Sequence, residues 1–334
     1  MLYIVTFNEY FGQHLSVESS LNVTEIKKIL YKMGVESRVI DIEDLVRDGV
    51  NIKCNYFITS HQNQSIKKYL NDIVFSLFSN KNKNLITPLE LYFAHENKGI
   101  QAILYNNGKD INLVNQSYLI DYKDIDKASV FKMTDGAGSR GVHLVKNQND
   151  IRKIIKKEKI HRISLESMIK NTKKIIKKLI PNKYNHKFEN YQSYKIPFVL
   201  QDFVANLQFD YKVLVFWDHL YVLKRNVREN DFRASGSGLF SFIEPNLELL
   251  QTCVKIRKTL NTPFISLDII MHDEKKFSCI EYQATHFGPY TQIKSEFFYT
   301  IDEFNNIIKE KNIYTLEHEY AYSLFNFLKT EKDV

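Results

Sequence analysis

The first 85 residues alternate between two spacings of apolar side chains. Residues 2–7 (LYIVTF) form a short apolar run suited to a buried strand. Residues 20–33 then set Leu21, Ile26, Ile29, Leu30 and Met33 at helical spacing, with Gly34 just past the end. Residues 35–42 and 56–59 read as further strands. Residues 66–78 read as a second amphipathic helix, apolar at Tyr69, Leu70, Ile73, Val74 and Phe78. Strands alternating with helices predict a small parallel α/β unit over residues 1–85. Its first strand-to-helix turn has no glycine fingerprint, so nothing there assigns it a dinucleotide.

Beyond this unit, residues 85–88 (LITP) predict a strand, an N-cap and an N1 proline for a helix running through His95-Glu96-Asn97-Lys98. Residues 113–121 and 129–133 are predicted strands. Residues 135–141 (DGAGSRG) match G-x-G-x-x-G at Gly136, Gly138 and Gly141. The Val142-His143-Leu144-Val145 that follows is strand-like, which disagrees with a Rossmann turn, and no Lys-Ser/Thr follows as in a Walker A loop. What remains is a glycine loop between antiparallel strands, with Lys132 on the entering strand. Its N–H groups suit phosphate oxygens, and a plain hairpin turn is the competing reading.

Residues 149–159 and 164–179 are helical by spacing, with Ile151, Ile154, Ile155, Met168, Ile175, Ile176 and Leu179 backed by lysines. Residues 198–204, 211–217 and 221–224 read as strands. A loop over 225–238 then carries Arg225, Arg228 and Arg233 beside Gly236 and Gly238. That combination suits capture of phosphate or carboxylate, and equally a solvated surface loop. Pro245 and Asn246 start a helix that runs to Leu260. Residues 264–289 form a hairpin, strands 264–271 and 277–282 joined by a turn at 272–275. Alternation sets Asp268 on the face opposite Leu267 and Ile269, and Glu281 and Gln283 on one face. Three oxygen donors in one small volume suit Mg²⁺, against the reading of edge carboxylates facing water.

At 334 residues the chain has room for one large or two to three small domains. The 44% apolar and 25% charged fractions exclude wholesale disorder. Cys54, Cys253 and Cys279 form no CxxC pair, so no disulfide framework is expected and a reducing compartment is favoured. No apolar run approaches a membrane span, and MLYIVTFNEY lacks the basic start of a signal peptide, so a cytoplasmic protein is expected. The net charge of +7 is concentrated: residues 151–187 hold 13 Lys/Arg against Glu158 and Glu166, leaving the remainder at −4. The readings for that segment are a solvated face, a site for an anionic substrate such as a nucleotide sugar, or peripheral contact with an anionic membrane. No aromatic interleaving marks a nucleic-acid groove.

The order of five stretches resembles the ATP-grasp superfamily, and within it the ligase-like proteins of bacterial capsule and surface-polysaccharide gene clusters. The stretches are HENK (95–98), FKMTDGAGSRGV (131–142), FVLQDFVANLQFDYKVLVF (198–216), YVLKRNVRENDFRASGSG (221–238) and FISLDII…CIEYQATHFGP (264–289). The resemblance implies an α/β chain of α+β lobes with ATP between them, preceded by a small parallel α/β domain. Residues 1–85 would be that domain, 86–204 a first lobe with a glycine lid and a basic helical insertion, and 205–334 a second lobe with the metal site.

Residue by residue, it implies that Lys98 and Lys132 contact the α/β phosphates, and that the loop of Gly136, Gly138, Ser139 and Gly141 closes over the β/γ phosphates. Gln201, Asp202 and Val204 would belong to the hinge that reads adenine. Asp210 and Lys212 resemble the Asp-x-Arg/Lys element, Lys224 and Arg225 would face phosphate, and Arg233 would stabilise the transferred phosphoryl group. Asp268, Glu281 and Gln283 would be the Mg²⁺ ligands, with Gln283 where the family has Asn. The implied activity is an ADP-forming carboxylate–amine ligase using ATP and Mg²⁺. A small-molecule or sugar kinase of the same fold, or a non-catalytic nucleotide-binding module, stand as alternatives.

Overall fold

A computed structural model describes residues 1–16, 18–80, 84–106, 111–121, 124–135, 141–162, 165–178, 180, 195–229, 231–272 and 276–330. The chain forms two compact units: Met1–Val114, Asp135–Ser139 and Val204–Val334 make the first, and Asn115–Thr134 with Arg140–Phe203 make the second.

The first unit begins with a parallel sheet in the order β2-β1-β3-β4, from β1 (Leu2–Thr6), β2 (Ser37–Asp41), β3 (Asn55–Ile58) and β4 (Leu85–Ile86). The helices α1 (Val23–Lys32) and α3 (Gln64–Phe78) are crossovers, and Asn22 and Asn63 cap them through side-chain oxygens. Gly34 adopts φ +83°, as a residue past a helix end requires. A short helix absent from the sequence reading, α2 (Ile42–Asp48), starts where the second strand was expected to end; Asp41 accepts from the Glu43 N–H and caps it.

The helix expected through residue 98 is two helices, α4 (Leu89–Ala94) and α5 (Lys98–Asn106). Between them Glu96 turns to φ +48°, and its N–H donates to the Gln283 side chain at 2.8 Å. Thr87 is not an N-cap. It sits at φ +68° and its hydroxyl donates to the Ala284 carbonyl at 3.0 Å.

The second unit is an antiparallel sheet in the order β5-β8-β6-β7, from β5 (Gln116–Leu119), β6 (Ser129–Met133), β7 (Val142–Val145) and β8 (Phe198–Asp202). Helix α6 (Gln148–Arg162) packs Ile151 and Ile155 against Phe131, Val145 and Phe198. Helix α7 (Leu165–Lys178) follows it.

The chain returns to the first unit as the largest sheet, ordered β13-β12-β9-β10-β14-β15 with β11 beside β10. Its strands are β9 (Phe209–Phe216), β10 (His219–Asn226), β11 (Phe240–Phe242), β12 (Phe264–His272), β13 (Lys276–Gln283), β14 (Phe297–Ile301) and β15 (Ile307–Lys311). Helix α8 (Leu247–Thr259) covers one face, where Leu250, Cys253 and Ile256 meet Val213, Val215, Leu267 and Ile269. The other face carries Leu214, Phe216 and Phe264 toward α1 and the C-terminal helix α10 (Leu316–Thr330); a short α9 (Tyr290–Lys294) precedes β14. Strand β12 is buried on both faces, so a polar residue within it has to find its partners inside the protein.

Gly141 closes the β6–β7 turn at φ +68°, and a Cβ there would press on Met133 Cγ and Cβ inside van der Waals contact. Gly141→Ala should therefore cost about 1–3 kcal/mol through backbone strain. Urea denaturation checks this, and an unchanged midpoint would contradict the turn geometry.

Candidate active site on the central sheet

The site grows from strand register. Lys212 on β9 lies opposite Asp268 on β12, and Asp268 lies opposite Glu281 on β13. Arg225 on β10 is opposite Asp210, two residues before Lys212 and therefore on the same face. Ser266 pairs with Gln283 one step along. A bulge between Asp268 and Ile269 shifts the register after Asp268, so that Ile269 meets Cys279.

These side chains join by charge. Arg225 grips Asp210 with Nε and Nη2 at 2.6 and 2.8 Å, and Nη2 also lies 2.9 Å from Asp268 Oδ2. Lys212 Nζ donates to Asp268 Oδ1 at 2.8 Å. All but Lys212 are under 10% exposed. Burial alone pushes the Asp268 carboxyl up, but Arg225 and Lys212 overcome it and hold the group well below the usual carboxylate range. Two carboxylates thus face two cations with little water, an arrangement in which every member depends on the others.

A second cluster abuts the first. Lys98, the first residue of α5, reaches Glu281 Oε1 at 3.3 Å, and Gln283 Nε2 lies 3.4 Å from the same oxygen. Lys67 of α3 is buried and donates to the His95 carbonyl at 2.5 Å. Burial lowers Lys67, whereas the Glu96 charge raises it; burial likewise raises Glu96, against Lys67 and Lys98. His95 and His286 stand with ring centroids 4.4 Å apart, both buried. Burial holds His95 well below its ordinary value and brings His286 down to about 4.

The other expected residues lie elsewhere. Arg233 pairs with Asp231, Nη2 to Oδ2 at 2.8 Å, and stands over the Phe232 ring. Arg228 donates to the Gly236 carbonyl. Lys224 Nζ lies 3.9 Å from the centre of the Phe209 ring, a cation–π contact. Val204 is half-buried where the chain re-enters the first unit. In the second unit, Lys132 is buried on β6, and Gln201 on β8 donates to Gln116 at 3.1 Å. Asp202 accepts from Lys127 at 2.8 Å and from Asn115 at 3.3 Å. Gly136, Gly138 and Ser139 lie outside the described residues, as do residues 273–275 of the β12–β13 turn.

Among the expected Mg²⁺ donors, the carboxylates of Asp268 and Glu281 have the right chemistry for a hard cation and lie on opposed strand positions. Gln283 commits its amide oxygen to the Glu96 N–H, so its NH₂ group is turned toward Glu281. Among the described residues no three His, Cys, Asp or Glu side chains gather as a metal cage. To hold Mg²⁺, Asp268 would exchange Lys212 or Arg225 for it, and Glu281 would exchange Lys98. Lys67, Glu96 and Asp231 escaped the sequence reading. Glu96 lies within the quoted HENK stretch, whereas burial of a helix lysine such as Lys67 has no local signal.

Compared with solved structures, the chain is similar over 98% of its length to D-cycloserine synthetase DcsG, covering 99% of that chain at 10% identity and a TM-score of 0.54. It is also similar to a RiPP-associated ATP-grasp ligase of Chryseobacterium gregarium, solved with ADP and a leader and core peptide. There 99% of this chain covers 96% of that one, at 10% identity and a TM-score of 0.50. The fold is ATP-grasp. No protein-family model matches the sequence, and no curated protein does. At this identity the ATP-grasp likeness is one of fold, and residue roles rest on the chain's own geometry.

Two stability predictions follow from the charges. Asp268→Asn leaves Lys212 without its carboxylate and Arg225 with Asp210 alone, and should cost about 3–5 kcal/mol. Glu281→Gln, at a side chain 26% exposed, should cost less than about 1 kcal/mol. Chemical denaturation of both variants checks the contrast, and equal losses would contradict it. His286 is neutral in the fold down to about pH 4, against 6.5 when exposed. The unfolded chain therefore takes up its proton first, and stability complete above pH 6.5 is lost as pH falls toward 4. At about 1.4 kcal/mol per unit, His286 alone accounts for about 3 kcal/mol. Urea midpoints from pH 7 to 4.5 should fall, and His286→Gln should flatten the slope.

Proposed function

We propose that the protein is an ADP-forming, ATP-dependent carboxylate–amine ligase. The observation that carries the reading is the row Lys212–Asp268–Glu281, flanked by Arg225 and Lys98, on one sheet of an ATP-grasp fold. It offers cations and carboxylates at close range, and the residues assigned roles include no Ser/His/Asp or cysteine nucleophile. All three cysteines are buried, and burial raises the Cys253 thiol, which keeps it protonated. Such an inventory suits positioning and charge neutralisation more than covalent catalysis.

In this reading a carboxylate oxygen of the acid attacks the γ-phosphorus of ATP and ADP leaves. The amine nitrogen then attacks the acyl carbon, phosphate departs with the C–O electron pair, and the amine gives up a proton. Lys98, Lys132 and Lys224 hold phosphate oxygens, with the loop of Gly136, Gly138, Ser139 and Gly141. Gln201, Asp202 and Val204 face adenine. Lys212, Arg225 and Arg233 neutralise the transferred group, and Asp210 holds the Arg225 guanidinium in orientation. Asp268 and Glu281, with Gln283 beside them, would hold Mg²⁺, which would supply charge neutralisation of the phosphates.

Residues 1–85 are assigned to a domain preceding the ATP-grasp lobes, 86–204 to the first lobe and 205–334 to the second. The finer reading is a cytoplasmic enzyme of surface-polysaccharide assembly that joins an amino compound to a uronic acid or related sugar acid, with a nucleotide sugar as carrier. What supports it is the resemblance of the motifs and the basic segment 151–187.

Turnover of Mg-ATP against panels of uronic acids and amino acids tests the reading. ADP, not AMP, should form, and only when acid and amine are both present. ADP formation on a hydroxyl compound without any amine would favour a kinase. ATP binding without turnover on any panel would favour a binding module. Glu281→Ala and Lys132→Ala should each reduce ADP formation by at least about 100-fold while leaving the protein folded. Full activity in either would sink the site assignment.

A further inference from the structure

Helix α7 (Leu165–Lys178) carries exposed isoleucines to which the ligase reading gives no role. Its partner in sequence, α6, seats Ile151 and Ile155 in the sheet's hydrophobic core. Helix α7 does the opposite: Ile169, Ile175 and Ile176 are 55%, 62% and 53% exposed, and Ile180 just beyond is 38% exposed. None of them joins a hydrophobic cluster among the described residues.

At helical spacing, Ile169, Thr172, Ile175 and Ile176 share an arc of roughly 120°. Exposed Lys173 and Lys177 border that arc on one side and exposed Lys178 on the other. A helix of this length holds its shape in water only when its apolar stripe is buried against something.

We propose that α7 docks on an anionic lipid bilayer, lying in the interface with its isoleucines inserted and its lysines on lipid phosphates. Charge complementarity selects this occupant: residues 151–187 carry 13 cations against two acids, while the rest of the chain is net negative. Ammonium groups on long stems along both borders of an apolar stripe suit a plane of headgroups, where the stems lie on apolar surface and the charges reach outward. Among the described residues no helix is long and apolar enough to cross a membrane, so the association is peripheral. The docking is independent of the ligase chemistry.

The full chain, sedimented with mixed vesicles of phosphatidylcholine and anionic phosphatidylglycerol, should pellet with them. It should stay in solution with pure phosphatidylcholine. Ile175→Asp/Ile176→Asp and, separately, Lys173→Glu/Lys177→Glu should each weaken partitioning at least tenfold, with far-ultraviolet dichroism and urea midpoint unchanged. No pelleting of the parent protein, or equal pelleting with neutral vesicles, overturns the proposal. So does loss in the lysine variant alone, which would leave the isoleucines outside the contact. A dimer in light scattering that the isoleucine variant converts to monomer would assign the face to a second copy. A lowered urea midpoint in that variant without vesicle binding by the parent would assign it to another segment of the chain.

Discussion

Asp268 is a carboxylate on a strand buried on both faces, and the structure around it is arranged to keep it charged. An isolated carboxylate in that position would take up a proton, because the loss of water costs more than the ionised form can bear. Lys212 and Arg225 prevent this, and Asp210 in turn accepts from Nε and Nη2 of Arg225. The four charges meet because β9 pairs with both β10 and β12 in this register. Such a set is a poor source of stability compared with an apolar core of equal volume.

The second constraint is the break between α4 and α5. Continuing the helix would carry the Glu96 N–H and the Lys98 side chain away from β13. The left-handed turn at Glu96 instead joins its N–H to Gln283 and sets Lys98 at the start of a new helix, close to Glu281. Four strands (β9, β10, β12 and β13) and two helices (α3 and α5) thus supply these polar side chains, and Lys67 donates to the His95 carbonyl at the break. Burial holds the His95 and His286 rings neutral.

Much of the architecture was legible along the chain. The apolar period distinguished strands from helices in the parallel unit, and alternation in residues 264–283 set Asp268 apart from its apolar neighbours before any register was known. Where reading failed, a longer-range contact had overridden a local signal. Thr87-Pro88 looked like an N-cap and N1 proline, yet the Thr87 hydroxyl serves the Ala284 carbonyl, 197 residues away. The HENK stretch looked continuous with its helix until Gln283 claimed the Glu96 N–H.

The chain by itself determined which residues could carry charge chemistry and on which face of each element they stand, because periodicity of 2 or 3.6 is a local property of the backbone. It equally determined that the positive charge is concentrated in one segment. Only the tertiary structure decided which charges meet. Pairing of Asp268 with Lys212 and Arg225, and of Glu281 with Lys98, depends on strand register and on a helix break stabilised from the far end of the chain. Such pairings between residues tens to hundreds of positions apart leave no trace in local spacing.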